Sequence, residues 1–184
     1  MRDLSMTTEQ RHGAEERRAL ELLLAAVADG DRDALEQLYH RTRTAVYALA
    51  LSLLKNAHDA QDITQDTFVR VWERAAQYRA PGSPMGWLLT VCRNEARMLL
   101  RRDGRQTTLD ETQWEAIPAE CSGLTPEDRA LLQQALAVLE SEERQVVLLH
   151  AVTGLKHREI AALLEKPLAT VLSKYHRALK KLKV

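Results

Sequence analysis

Glu159-Ile160-Ala161-Ala162-Leu163-Leu164-Glu165-Lys166-Pro167-Leu168-Ala169-Thr170-Val171-Leu172-Ser173-Lys174-Tyr175-His176-Arg177-Ala178 reads as two short helices about a tight turn at Glu165-Lys166-Pro167. Proline lacks an amide hydrogen and stops the first helix, yet it suits the first turn of the second. Val171, Tyr175, Ala178 and Leu182 are spaced four, three and four residues apart, so they form one apolar stripe. Thr170, Ser173, Lys174, Arg177 and Lys181 are read as the opposite face. Hydroxyls and cations in that arrangement suit base edges and phosphates in a major groove. The pattern predicts a helix-turn-helix, although a solvated basic face on an ordinary amphipathic helix would carry the same charges.

Upstream, Gly154 stops a helix that Ser141 is placed to cap, and Thr125-Pro126-Glu127-Asp128 offers a cap, an N1 proline and acids for another. Asp103 to Leu124 is polar, acidic and punctuated by Gly104, Pro118 and Gly123. A structureless loop of roughly twenty residues is rare inside one compact domain, so the stretch reads as a linker. Before it, Gly30 ends a short apolar helix (Leu20 to Val27) and Asp31 caps a longer one to about Leu54. Asp59 is placed to cap a third through Trp72 to about Gln77, and Ser83-Pro84 opens a fourth to Arg101 or Arg102. The expected architecture is all-α: a mobile tail at 1–18, a helical domain at 19–102, a flexible acidic linker at 103–124 and a helix-turn-helix domain at 125–184. Ending right after the basic helix, the sequence is expected to carry no appended C-terminal domain.

Composition agrees. Of 184 residues 45% are hydrophobic but only 4% aromatic, which favours packed helices over strands. The 26 basic and 26 acidic residues cancel overall but not locally. Residues 103–124 hold one basic and five acidic residues, whereas Lys166 to Val184 hold six Lys/Arg and no acid. One basic face on a neutral protein suits nucleic-acid binding by that face alone. The longest apolar run, Ala45 to Leu54, falls short of the ~20 residues that span a bilayer, and no secretory signal opens the chain, so a cytoplasmic protein without membrane insertion is expected. Cys92 and Cys121 cannot supply a zinc site alone, and no phosphate-cradling glycine loop or catalytic motif is present. No metal, cofactor or catalytic residue is expected.

With these residues quoted, 159–164 and 167–178 resemble region 4 of the extracytoplasmic-function sigma factors, the bacterial promoter-specificity subunits of RNA polymerase. The resemblance implies that the last helix reads the upstream (−35) promoter element. A second stretch, Asp59-Ala60-Gln61-Asp62-Ile63-Thr64-Gln65-Asp66-Thr67-Phe68-Val69-Arg70-Val71-Trp72, resembles the core-binding helix of region 2. It implies that Asp62, Gln65, Asp66 and Val69 dock on a coiled coil of core polymerase. A third, Pro84 to Ala96, resembles the following segment of region 2 and aligns Asn94 with an asparagine at a pocket for a base flipped out of the downstream (−10) element. An amide both donates and accepts, which suits an unpaired base edge. Arg93, Arg97, Arg101 and Arg102 at near-helical spacing would give the single strand a cationic track.

The family implies core RNA polymerase and promoter DNA as partners, an anti-sigma factor for many members, and no enzymatic step. Three positions depart from its pattern: Glu165 stands where many relatives have a turn glycine, Ala169 replaces a frequent glycine, and Leu172 replaces a common basic residue. Leucine could touch a thymine methyl instead, shifting promoter preference. A helix-turn-helix regulator with a sensing or dimerising N-terminal domain is the rival reading; it gives Asp62, Gln65 and Asp66 no reason to face outward.

Overall fold

The computed structural model describes residues 8–80, 82–104 and 138–183. Among them there are helices and no strand. Helix α1 spans Thr8–Ala28 and closes at Gly30, whose φ of +87° is left-handed. Asp31 Oδ1 then accepts from the amides of Asp33 (2.9 Å) and Ala34 (3.1 Å), starting α2 at Arg32–Leu54. Helix α3 is Ala57–Arg74, and α4, Pro84–Arg102, is opened by Ser83 Oγ accepting from Gly86 N at 3.1 Å. In the C-terminal part, α5 is Ser141–Thr153, α6 is His157–Leu164 and α7 is Leu168–Leu182. Gly154 (φ +65°) ends α5, and Glu165 (φ +54°) makes the turn before α7.

Three boundaries differ from the sequence reading. Helix α1 begins well inside the segment read as a tail, because Glu16 pairs with Arg41 at 3.1 Å and Arg17 Nη2 donates to Gly82 O at 2.7 Å. The α3 cap is Asn56, whose side-chain oxygen accepts from Asp59 N at 3.0 Å, so the helix starts earlier than an Asp59 cap would allow. The α5 cap is Glu140, whose amide donates to Glu143 Oε2 at 3.1 Å; Ser141 is inside the helix. The expected helix start at Thr125 and nearly all of the 103–124 linker, Cys121 included, lie outside the described residues.

Helices α1 to α4 form a bundle. Leu20, Leu24, Leu38, Val71 and Leu88 fill its first cluster; Val46, Leu49, Ile63, Phe68, Leu89 and Cys92 fill a second. Truncating a fully buried leucine to alanine in such a core costs about 2–5 kcal/mol. Buried threonines are satisfied locally: Thr42, Thr64 and Thr67 each donate to a carbonyl four residues back. Burial pushes the Cys92 thiol up to about 12, which leaves it unreactive.

Helices α5 to α7 form the second unit, centred on Val146, Leu149, Leu155, Ile160, Leu163 and Val171. His150 stacks on His157 (centroids 4.6 Å) and Tyr175 meets both rings edge-on. Burial, with His150 and His176 adding to it, holds the His157 imidazole below its ordinary pKa.

The two units are not held apart. The second α1–α4 cluster continues without a break into the α5–α7 core. Helix α2 packs on α5, and α4 packs on α6. Gln145 Nε2 donates to Ser52 Oγ at 3.0 Å, and Lys55 Nζ donates to Ser141 Oγ at 2.7 Å. The physical reason lies in the Ala45–Leu54 run: a helix that is apolar nearly all round needs cover on every side, and its own bundle covers only some.

Candidate nucleic-acid interface

Helix α3 has two unlike sides. Ile63, Thr64, Thr67, Phe68 and Val71 are buried, and that burial turns Asp62, Gln65, Asp66 and Val69 together toward solvent. Val69, a large apolar side chain, is 55% exposed. His58 Nδ1 lies 3.2 Å from Asp62 Oδ2. Beside this face runs an open groove of about 630 Å³ between α3 and α4. Asp59, Asp62, Asp66, Glu95 and Asp103 line it against Arg70 and Arg102, and Met98 adds an exposed apolar wall. The α4 side of the groove escaped the sequence reading. Glu95 and Met98 come one turn apart, on the side of α4 that faces α3, so pairing the two helices would have found them.

On α4, Asn94 is exposed. The four arginines do not form one free track. Arg97 meets Glu165 in a two-pronged contact, Nη1 to Oε1 at 2.8 Å and Nη2 to Oε2 at 2.7 Å. Arg93, its side chain only 15% exposed, donates to Leu163 O at 2.9 Å and sits 3.3 Å from Glu165 Oε1. Arg101 and Arg102 are exposed, with Arg102 Nε 3.3 Å from Asp103 Oδ1.

On α7 the apolar stripe buries Val171 and Ala178 and half-buries Tyr175 and Leu182. At 100° per residue the centre of the opposite face falls on Ser173, Arg177 and Lys180, with Ala169 and His176 beside them. All five are exposed, and Arg177 Nη2 donates to Ser173 Oγ at 3.3 Å. Thr170 and Leu172 are half-buried at the edges. Lys174 and Lys181 lie on one flank and turn back to α5. Lys174 Nζ is 3.0 Å from Glu142 Oε2, and Lys181 Nζ is 2.8 Å from Glu143 Oε2. The sequence reading was therefore rotated toward that flank: it included two lysines engaged with acids and missed Lys180 and His176.

Comparison with known proteins is consistent with both units. The sigma-70 region 2 family matches residues 38–106, and sigma-70 region 4 matches residues 129–182. The ECF RNA polymerase sigma factor SigK of Mycobacterium ulcerans is 30% identical over 174 residues, 89% of this chain and 91% of the relative.

The chain belongs to the extracytoplasmic-function sigma factors.

A second relative, the ECF sigma factor SigE of Mycolicibacterium smegmatis, is 35% identical over 171 residues, of which this sigma factor spans 85% of its own length and 64% of the relative's. Among solved structures, CnrH in complex with the cytosolic domain of CnrY is 27% identical, with a TM-score of 0.59 over 90% of this chain and 95% of that one. The sigma factor RpoE of Bartonella quintana, solved with the anti-sigma factor NepR, is 23% identical with a TM-score of 0.55 over 80% and 93%, a likeness of fold. As a member of the family this sigma factor serves promoter recognition by RNA polymerase; the region 2 match runs from Leu38 in α2 through α4, and the region 4 match takes in α5 to α7. No helix among the described residues is long and apolar enough to cross a membrane.

Proposed function

We propose that this sigma factor recruits core polymerase through the outer side of α3, reads the −35 element with α7 and captures a flipped −10 base on α4. Asp62, Gln65 and Asp66 supply carboxylates and an amide to a basic coiled coil, and Val69 supplies apolar burial. Ser173, Arg177 and Lys180 enter the major groove, with Thr170 at the edge. Lys174 and Lys181 hold α7 against α5 and add positive field from the flank.

Asn94 pairs with the edge of the extruded base, and Arg93, Arg97 and Arg101 follow the strand. Opening several base pairs at ~1.4 kcal/mol per stacked step costs several kcal/mol, which base capture and phosphate contacts offset in part. This chain contributes binding and positioning with no covalent step, so it is not an enzyme, and it works in the cytoplasm beside the polymerase. An anti-sigma protein is a further proposed partner, by likeness to the complexed relatives.

The observation that carries this reading is α3, where burial of Ile63, Thr64, Thr67, Phe68 and Val71 leaves an acid–amide–acid–valine face exposed among the described residues. Reconstitution tests it. The chain is mixed with bacterial core polymerase and a library of promoter fragments, and specific initiation is expected. Absence of both co-elution with core and specific initiation would favour a conventional regulator.

A further inference from the structure

Glu165 occupies the guanidinium donors that a strand phosphate would take. Its carboxylate grips Arg97 at both nitrogens (2.8 and 2.7 Å) and lies 3.3 Å from Arg93 Nη1. A two-pronged arginine contact is the same geometry that recognises phosphate, so carboxylate and phosphate compete for one fork. We propose that Glu165 is an intramolecular latch, holding this sigma factor closed until polymerase or the −10 strand displaces it. The proposal rests on the assignment of Arg93 and Arg97 to the −10 strand.

Three further observations support closure. Glu165 has a left-handed backbone (φ +54°), unfavourable for a residue with a Cβ, and it persists where its side chain bridges two units. Arg93 also donates to Leu163 O and lies against Ala162 O, so an arginine of region 2 satisfies the last carbonyls of α6. Ser52–Gln145 and Lys55–Ser141 fix the other edge of the same contact, with continuous apolar packing between them.

Closure is incompatible with promoter engagement. Elements centred near −35 and −10 are roughly 25 base pairs apart, or ~85 Å at 3.4 Å per step. Helix α4, assigned to the −10 element, is here in contact with α6, the helix packed against the −35-reading α7. The latch must open before both elements can be read, and Glu165 makes closure and strand binding alternatives at the same two arginines. Because the Arg97–Glu165 pair is partly exposed, salt weakens it.

The test uses the full free chain. Small-angle scattering reads compactness, and fluorescence anisotropy reads binding of a labelled 12-nucleotide single strand. Glu165→Gln is expected to enlarge the radius of gyration and tighten the oligonucleotide. If four-fifths of the wild type is latched, the gain is about fivefold. Arg97→Gln should open the chain equally without tightening the strand, and the exchanged pair Arg97→Glu with Glu165→Arg should close it again. Circular dichroism confirms that each variant is folded. Unchanged compactness and affinity in Glu165→Gln, or failure of the exchanged pair to restore compactness, overturns the latch. Wild-type binding to core polymerase is measured in parallel: its loss removes the sigma mechanism, whereas its retention beside an unaltered Glu165→Gln removes the latch alone.

Discussion

Lys181 Nζ lies 2.8 Å from Glu143 Oε2, and Glu143 has no exposed surface. Burial alone would push that carboxyl up. Lys181, together with the amide of Glu140, outweighs burial and leaves it below the ordinary carboxylate range. The lysine therefore ties α7 to the start of α5. Lys181→Met should lower the melting temperature of region 4 by several degrees, because it strands a buried charge. Lys180→Met, on the exposed face one residue away, should leave it within a degree. Calorimetry of the full chain checks the contrast, and equal losses would show that Lys181 has no such role.

Glu142 titrates near this pair. Hydrogen bonds from Lys166 and then Lys174 bring its carboxyl down to about 2. A depressed carboxyl stabilises the fold above its unfolded value, about 4.3, and that contribution fades as pH falls toward 2. Both partners are partly exposed, so solvent screening leaves only a fraction of it. Lys166→Met is expected to raise the midpoint of acid unfolding by about half a pH unit, followed by circular dichroism. In a Glu142→Gln background the same change should move the midpoint little.

Arg177 and Lys180 are expected to divide the labour on DNA. Arg177 sits at the centre of the exposed face within reach of Ser173, where a guanidinium can meet a base edge. Arg177→Ala should cost about 1–3 kcal/mol on the preferred upstream element and less on altered ones. Lys180→Ala should weaken all sequences alike and reduce the slope of log K against log salt by about 1. Holoenzyme binding to matched and mismatched promoters at several salt concentrations separates the two roles.

Local chemistry explains which features were readable in advance. Asp31, Ser83-Pro84 and Gly154 each act within four residues of themselves, and each marks its boundary as expected. Asn56 was passed over because Asp59, three residues on, offers the same chemistry. The apolar side of α7 was legible from Val171, Tyr175, Ala178 and Leu182. Its polar side was blurred because Lys174 and Lys181 carry the right charge but answer to acids on α5, a long-range pairing that no spacing encodes. The contact between α4 and α6 was hidden for the same reason. Glu165 and Arg97 are 68 residues apart, and nothing local joins them.

The α3 face makes a demand on core polymerase that does not depend on DNA. Asp62 and Gln65 are exposed, while Ile63, Thr67 and Phe68 hold the helix in place. Asp62→Arg with Gln65→Ala should therefore leave the melting temperature nearly unchanged. Reversing a charge against a basic partner costs several kcal/mol, so core affinity should fall at least a hundredfold. Co-elution with core at wild-type levels would exclude this face from the interface.

Asn94 separates base capture from simple strand binding. It is exposed on α4 next to Arg93, and its amide can both donate to and accept from an extruded base. On a duplex promoter that contact is made only after a base leaves the stack, so it lowers the cost of opening. Where the −10 region is already unpaired, that cost is absent. Asn94→Ala should therefore slow open-complex formation on duplex templates by about tenfold, the equivalent of one polar contact of ~1.4 kcal/mol, and by at most twofold on templates with a pre-melted −10 region. Rates of open-complex formation measured on both templates decide it: equal defects would make Asn94 a general strand contact, and no defect would remove it from the site.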